Sequence, residues 1–361
     1  MGSTREEGRP MEQREQLTDR QRFDVIFVGD VATNTYLALS PDWVQIHHDA
    51  SGDELVMPFG AKLPYEGSFT VEAGGNAADA AVCCSRLGLR VALASYLGAD
   101  QLGRDLLAAL HAEGVNTSLV RLDQNAATSR HFVLWLGCER TILIRHEQYE
   151  YQWPHLRSSE IPAWLYLSSV GRDGHDYENE IADWLEDHPS TELAFAPGTY
   201  QINDGPKRLA RLYKRSNLLV CNREEAALLA GTPKADIEGL LGYLLDLGPR
   251  QVVITDAASG AYAADEHNRY SVPIYPDTGS VVDRTGAGDA FASTLLAYIV
   301  RGMSLEEALL RAPVNAMSVV HAIGSQAGLL RPGPLDKLLA DAPSDYVLTR
   351  RDASLKEKDA H

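Results

Sequence analysis

Asp283-Arg-Thr-Gly-Ala-Gly-Asp-Ala-Phe291 is the stretch on which the reading of this chain turns. Gly286, Ala287 and Gly288 carry no bulky side chain, so three successive backbone N–H groups can face one anion. A helix from residue 288 onward adds its positive N-terminal end to the same spot. Asp289 falls on the first turn beside this anion hole, where the helix dipole favours the ionised carboxylate that a general base needs. The same residues would also suit a tight turn with Asp289 as a helix cap. The chain has no Gly-x4-Gly-Lys-Ser/Thr, and Phe291 stands where a dinucleotide Gly-x-Gly-x-x-Gly would require glycine. Hydride transfer therefore loses its main support.

Outward from this loop, strand and helix patterns alternate. Phe23-Asp-Val-Ile-Phe-Val-Gly29 reads as a buried parallel strand. Helix 76–88, strand 91–96 and helix 101–113 follow, then strand 164–169, helix 176–187 and strand 192–196. Helix 205–214, strand 217–222, helices 223–230 and 236–247, and strand 251–256 continue the pattern. After a hairpin around 260–275 come helices over 288–301, 304–312, 313–323 and about 333–340. Alternation at this spacing predicts an α/β fold with a parallel sheet covered on both faces. Two strand-rich excursions, within about 35–72 and 126–150, predict a small β lid. Its hairpin joins Ser129–Leu136 to Arg140–His146 through Gly137.

Composition limits what the fold can do. The chain has 361 residues, with 33 Lys plus Arg against 50 Asp plus Glu, a net charge of −17. That field repels nucleic acid and anionic membranes. Apolar runs such as Leu295–Val300 fall far short of the ~20 residues of a spanning helix. Segment 1–22 is polar, with no secretory h-region, and 345–361 has as many bases as acids. Both ends read as loose, leaving a folded unit over 23–344. Cys83, Cys84, Cys138 and Cys221 show no metal or redox spacing and read as buried thiols of a cytoplasmic protein. His47-His48 lacks partners at ligand spacing.

Asp-x-Thr-Gly-Ala-Gly-Asp-Ala-Phe resembles the C-terminal signature of the ribokinase-like (PfkB-type) carbohydrate kinases. Gly74-Gly-Asn-Ala-Ala-Asp79 is similar to the N-terminal signature of that family, and Gly98-Ala-Asp-Gln-Leu-Gly103 and Asn222-Arg-Glu-Glu225 match two further motifs in family order. The resemblance runs from about 23 to 340. It implies a three-layer α/β sandwich with a β lid, and MgATP-dependent phosphorylation of a ribose- or fructose-like sugar. An adenosine-like nucleoside or a sugar acid is an alternative acceptor. A non-catalytic sugar- or nucleotide-binding regulator is the alternative of another class. Asp289 would be the base, Gly286, Ala287 and Gly288 the anion hole, and Asn222 with Glu225 the holders of Mg²⁺, partly through water. ATP is expected near Asn222, Thr255, Asp256, Gly260, Arg284 and Asn315. The resemblance also implies a monovalent cation such as K⁺ near Asp283 and Ala322–Gln326, and a homodimer through the lid.

Two positions depart from the family pattern. The family usually has Asp five residues after the first-strand glycine, where this chain has Asn34, and its first signature ends in Asn, where this chain has Asp79. Asn34 and Asp79 are expected to be a compensated exchange. With Gly74, Gly75 and Asn76 they would bind the substrate hydroxyls, or Asp30 would serve as the substrate carboxylate. Arg284 could reach a phosphate or lie outward. Among the lid residues Arg130, Arg140, Arg145 and His146, Arg145 is a candidate cation for a sugar acid, though surface roles are the commoner expectation. Trp135 could cover a sugar or pack.

Overall fold

Val25–Val28 is apolar at every position because both of its faces are buried. The computed structural model describes residues 22–49, 52–137, 139–232, 235–277 and 279–353. In chain order the strands are β1 (Val25–Val28), β2 (Ala32–Leu39), β3 (Gln45–Asp49), β4 (Gly52–Val56), β5 (Tyr65–Gly74), β6 (Val91–Ala94), β7 (Tyr96–Gly98), β8 (Arg121–Asp123), β9 (Arg130–Leu136), β10 (Glu139–Leu143), β11 (Trp164–Leu167), β12 (Glu192–Phe195), β13 (Leu218–Asn222), β14 (Gln251–Thr255), β15 (Ala261–Ala264), β16 (Asn268–Val272) and β17 (Thr349–Asp352). A nine-stranded sheet has the order β17-β16-β15-β14-β13-β12-β11-β1-β6. From β6 to β14 all neighbours are parallel, and β15, β16 and β17 extend the sheet antiparallel. Successive residues of β1 enter opposite cores: Val25 and Phe27 pack on one face, Ile26 and Val28 on the other. This is the expected α/β sandwich, and the carboxyl ends of its parallel strands share one edge, where such folds place ligands.

Over that edge lies a four-stranded lid, order β10-β9-β2-β5. The expected hairpin is present, with β9 antiparallel to β10 and Gly137 at φ 65°. Cys138 lies outside the described residues, whereas Cys83, Cys84 and Cys221 are buried free thiols. The Gly98–Gly103 motif anchors the lid to the body. Asp100 caps the helix Gln101–Ala112 through Gly103 N at 2.9 Å, and it accepts from Thr128 N (2.9 Å) and Thr128 Oγ1 (2.7 Å) just before β9 begins.

Two helices of small residues cross the same face of the sheet. Asn76–Arg86 and Ala287–Val300 touch at Asn76 with Asp289, Cys83 with Thr294, and Cys84 with Ser293. The contacts advance together along both chains, so the helices run in the same direction and both N-termini reach the carboxyl edge. Alanine, serine, threonine and cysteine at the interface permit this close approach.

Two expectations need correction. Helices 304–312 and 313–323 are one helix, Leu305–Val320, that runs through Pro313. A continuous buried face, from Leu305 through Val319, outweighs the hydrogen bond that proline cannot make. The C-terminal segment is not wholly loose, because Thr349–Asp352 pairs with β16 and Arg350 reaches Glu306 at 2.9 Å. All four residues of β17 are exposed, so no apolar pattern announced a strand. The N-terminal reading falls outside the described residues except at Arg22, whose guanidinium donates to Ile161 O (2.8 Å) and Pro162 O (3.1 Å).

Asn315, expected beside ATP, is instead a core residue. It is 0% exposed, donates to Thr294 Oγ1 at 2.7 Å and accepts from Leu330 N at 2.9 Å. These bonds tie the helix Leu305–Val320 to the helix Ala287–Val300 and to the following loop. Asn315→Ala should lower unfolding stability by about 1–3 kcal/mol, the usual cost of stranding buried partners. The KM for ATP should stay within about twofold of wild type; chemical denaturation and steady-state kinetics read both.

Candidate active site

Gly286 opens the helix Ala287–Val300 in a left-handed conformation, φ 80°. A Cβ there would lie 2.4 Å from Ser325 Cβ, so glycine is required on both counts. The loop is stitched down by Asp283, which is buried. Its Oδ1 accepts from Thr285 N (2.9 Å) and Thr285 Oγ1 (2.6 Å), and its Oδ2 accepts from Gly324 N (2.9 Å). Both carboxylate oxygens thus accept from protein donors, which ties the loop before the helix to Gly324.

The helix ladder starts with Ala290 N donating to Gly286 O at 2.8 Å. The amides of 287–289 therefore belong to the first turn, whose N–H groups have no partner within a helix. A Cβ built on Gly288 would meet no protein atom within 4 Å. Gly288 thus faces open space, as the residue beneath a bound anion should. Asp289 lies partly exposed beside this space, and its Oδ1 accepts from Asn76 Nδ2 at 2.8 Å. Withdrawal from bulk water pushes its carboxyl above the ordinary range, and the Asn76 bond pulls it back down.

Gly74 and Gly75 precede the helix that carries Asn76. A Cβ on Gly74 would fall 2.3 Å from Asn34 Nδ2, so the amide of Asn34 lies directly on the glycine. Asn34 is 8% exposed and its Oδ1 has no partner among the described residues. Asp79 is also buried, and its Oδ1 accepts from Gln326 Nε2 at 2.7 Å, while Gln326 also donates to Ala73 O. Burial first, and the nearby Asp289 second, push the Asp79 carboxyl upward. The two exchanged residues therefore make no joint pair: Gln326 holds Asp79, and Asn34 keeps its acceptor open.

Asp30, directly after the first-strand glycine, is 6% exposed. Tyr151 donates its hydroxyl to Asp30 Oδ1 at 2.7 Å, while Oδ2 has no hydrogen bond. Burial pushes Asp30 up to about 7, with the Tyr151 and Gly171 N bonds opposing the shift. Tyr151 escaped the sequence reading, since a contact across 121 residues leaves no local signal.

On the other side of Asp289 lies Asn222-Arg-Glu-Glu225. It forms a reciprocal cap of the helix Arg223–Ala230: Glu225 N donates to Asn222 Oδ1 (2.8 Å), and Asn222 N donates to Glu225 Oε2 (2.9 Å). Burial raises the Glu225 carboxyl and the charge of Asp289 adds to the rise, which puts the two carboxylates in one field. Asn222 pairs in register with Thr255, and Arg223 donates to Asp256 at 2.8 Å. Gly260 O accepts from Asp256 N at 2.8 Å, closing the turn beside this cap. Arg284, expected near phosphate, instead meets Glu139 of the lid at 3.1 Å. Arg145 pairs with Glu147 at 2.7 Å, which removes it as the cation for a sugar acid.

A lid over the carboxyl edge of a parallel sheet, with a carboxylate on the first turn of a helix beneath it, is an arrangement suited to group transfer to a hydroxyl. The chain belongs to the pfkB family of carbohydrate kinases, whose family model matches residues 46–331. It is similar to the ribokinase of Mus musculus, 26% identical with 72% of this chain and 81% of that protein covered. It is 28% identical to the aminoimidazole riboside kinase of Salmonella typhimurium, over 70% of this chain and 81% of that one. Its fold is that of Arabidopsis thaliana ribokinase, solved with ribose and ATP, at TM-score 0.73 and 21% identity over 88% and 99% of the two chains. The Methanocaldococcus jannaschii nucleoside kinase superposes at TM-score 0.71 and 18% identity, over 89% and 98%.

The Asn76 bond to Asp289 favours the ionised carboxylate, so its removal should raise the pKa of that carboxyl. Asn76→Ala is expected to move the acid limb of the pH–rate profile to higher pH and to lower turnover at pH 6 more than at pH 8. An unmoved limb would separate Asn76 from the titration of Asp289.

Proposed function

We propose that this carbohydrate kinase transfers the γ-phosphoryl group of ATP to a hydroxyl of a neutral sugar, with Asp289 as the general base. The observation that carries the reading is the placement of Asp289. It stands on the first turn of a helix, oriented by Asn76 and beside Gly288, where a side chain would meet only open space. The acceptor hydroxyl gives its proton to an Asp289 oxygen as its own oxygen bonds to the γ-phosphorus, while the bond from that phosphorus to the β–γ bridging oxygen breaks and ADP leaves. The amides of 287–289 and the helix dipole neutralise the charge gathering on the transferred group. Charge and position do the work, as loose phosphoryl transfer requires.

Mg²⁺ suits the donor set beside Asp289. No group of three His, Cys, Asp or Glu among the described residues forms a protein cage, and Mg²⁺ typically keeps water and phosphate ligands around one or two carboxylates. Glu225 would hold it through the oxygen left by the Asn222 cap, with Asn222 beside it; the ion would screen charge between the phosphates. ATP would extend from there along the Asn222, Thr255 and Gly260 turns. Free buried thiols fit a reducing cytoplasm. No helix among the described residues is long and apolar enough to cross a membrane.

A nucleoside acceptor is the second reading, favoured by the ring cluster of His131, His146 and Tyr200 at the lid. The lid also exposes Tyr65 and Leu143 on its outer strands β5 and β10, and we infer that two copies pair there as a homodimer. Light scattering should give twice the chain mass; a monomer at micromolar concentration would refute the pairing.

Asp289→Asn should lower kcat by about 10²–10⁴ while leaving the Kd for ATP within a few-fold. Coupled ADP release and nucleotide titration measure the two quantities, and retained turnover would remove Asp289 from the base role. Wild-type activity should fall on the acid side, because the raised carboxyl must be ionised to accept a proton. Its limb should lie above the ordinary aspartate value of 3.8.

A further inference from the structure

Among the described residues, the buried polar atoms at the lid without a hydrogen-bond partner include Asp30 Oδ2, Asn34 Oδ1, His131 Nε2 and His146 Nδ1. These fall into two pairs. His146 Nδ1 lies 3.7 Å from Asp30 Oδ2, too far for a direct hydrogen bond and close enough for one hydroxyl to bridge. His131 and Asn34 are register partners on the parallel strands β9 and β2, so their side chains leave the same face of the lid. The His131 and His146 rings meet edge to face at 5.1 Å, which joins the two pairs into one wall. Tyr200 packs against His146 at 5.8 Å and Tyr151 fixes Asp30, so the wall is buttressed from behind.

We propose that His131 and His146, with Asn34 and Asp30, are specificity-determining residues that read two hydroxyl groups of the acceptor, away from the one phosphorylated. This inference deepens the sugar-kinase reading and rests on it for the identity of the pocket. Each pair offers one accepting oxygen, Asn34 Oδ1 or Asp30 Oδ2 in its ionised form, and one imidazole nitrogen that donates in the right tautomer, Nδ1–H for His146 and Nε2–H for His131. A hydroxyl satisfies both members at once, because it donates and accepts. A carboxylate or a phosphate has no proton to give, and would set its lone pairs against those of Asp30 Oδ2 and Asn34 Oδ1. Both imidazoles are kept neutral by burial, His131 down to about 4, so neither ring is itself a cation for an acid. The pocket therefore selects neutral polyols and rejects acids and deoxy analogues. Buried groups left unpaired make such rejection severe.

Isothermal titration without ATP tests the wall apart from catalysis. D-Ribose, D-fructose, their deoxy analogues and D-gluconate serve as probes on the intact chain. At least one neutral sugar should bind, with its deoxy analogue at least tenfold weaker and gluconate weaker still. His146→Phe and His131→Phe keep a ring and lose the nitrogens, and each should weaken the sugar at least tenfold. His146→Gln, which keeps a donor, should recover part of the loss, and melting curves will confirm that each variant is folded. Gluconate binding more tightly than the sugars, no binding by any probe, or folded Phe variants with unchanged Kd would each overturn the proposal. Sugar binding as expected without phosphoryl transfer would instead overturn the kinase reading and leave the wall standing.

Discussion

The close, same-direction packing of the helices Asn76–Arg86 and Ala287–Val300 is the constraint on which the site depends. Their contacts are made by small side chains, and a larger residue at Cys83, Cys84, Ser293 or Thr294 would force the axes apart. Because the helices run together, their N-termini arrive side by side, and Asn76 meets Asp289 at 2.8 Å. Moving either helix by an ångström would break that bond and tilt the carboxylate away from the amides of 287–289. The Asn76–Asp289 contact is thus held in place by core packing several turns below it.

Much of this was legible in the chain itself. Gly-Ala-Gly-Asp announces a tight turn into a helix with a carboxylate on its first turn, as the structure shows. The parallel strands were legible because strands buried on both faces are apolar throughout, as Val25–Val28 is. What stayed hidden has physical causes. Asn315 looked like a ligand contact because an amide in a helix carries no mark of whether it faces solvent or core. The Asn-x-x-Glu motif gave no hint that it closes a reciprocal cap, since capping and metal binding ask for the same two side chains. Tyr151, His131 and His146 join Asp30 and Asn34 through tertiary contacts only, and no spacing along the chain encodes them.

The exchange of amide and carboxylate also reads differently in three dimensions. Asp79 faces Gln326, whose other contact is Ala73 O, so its carboxyl ties the first helix to the loop that underlies Gly286. Asn34 lies on Gly74 with its oxygen open. The two exchanged positions thus differ in their contacts, Asp79 held by Gln326 and Asn34 with an unpartnered oxygen. Asp30, one residue after the strand glycine, supplies the buried carboxylate that neither of them presents.

The edge of the large sheet has its own consequence. An open strand edge offers unpaired amides and carbonyls to any other extended chain, and large sheets are prone to grow that way. Here the last strand, Thr349–Asp352, is four residues long and exposed throughout. Arg350 and Arg351 on it reach Glu306 and Glu238 at 2.9 and 3.4 Å. A second copy adding there would have to strip those pairs and stack arginine against arginine. A short charged segment with no part in the chemistry thereby guards the molecule against edge-to-edge aggregation.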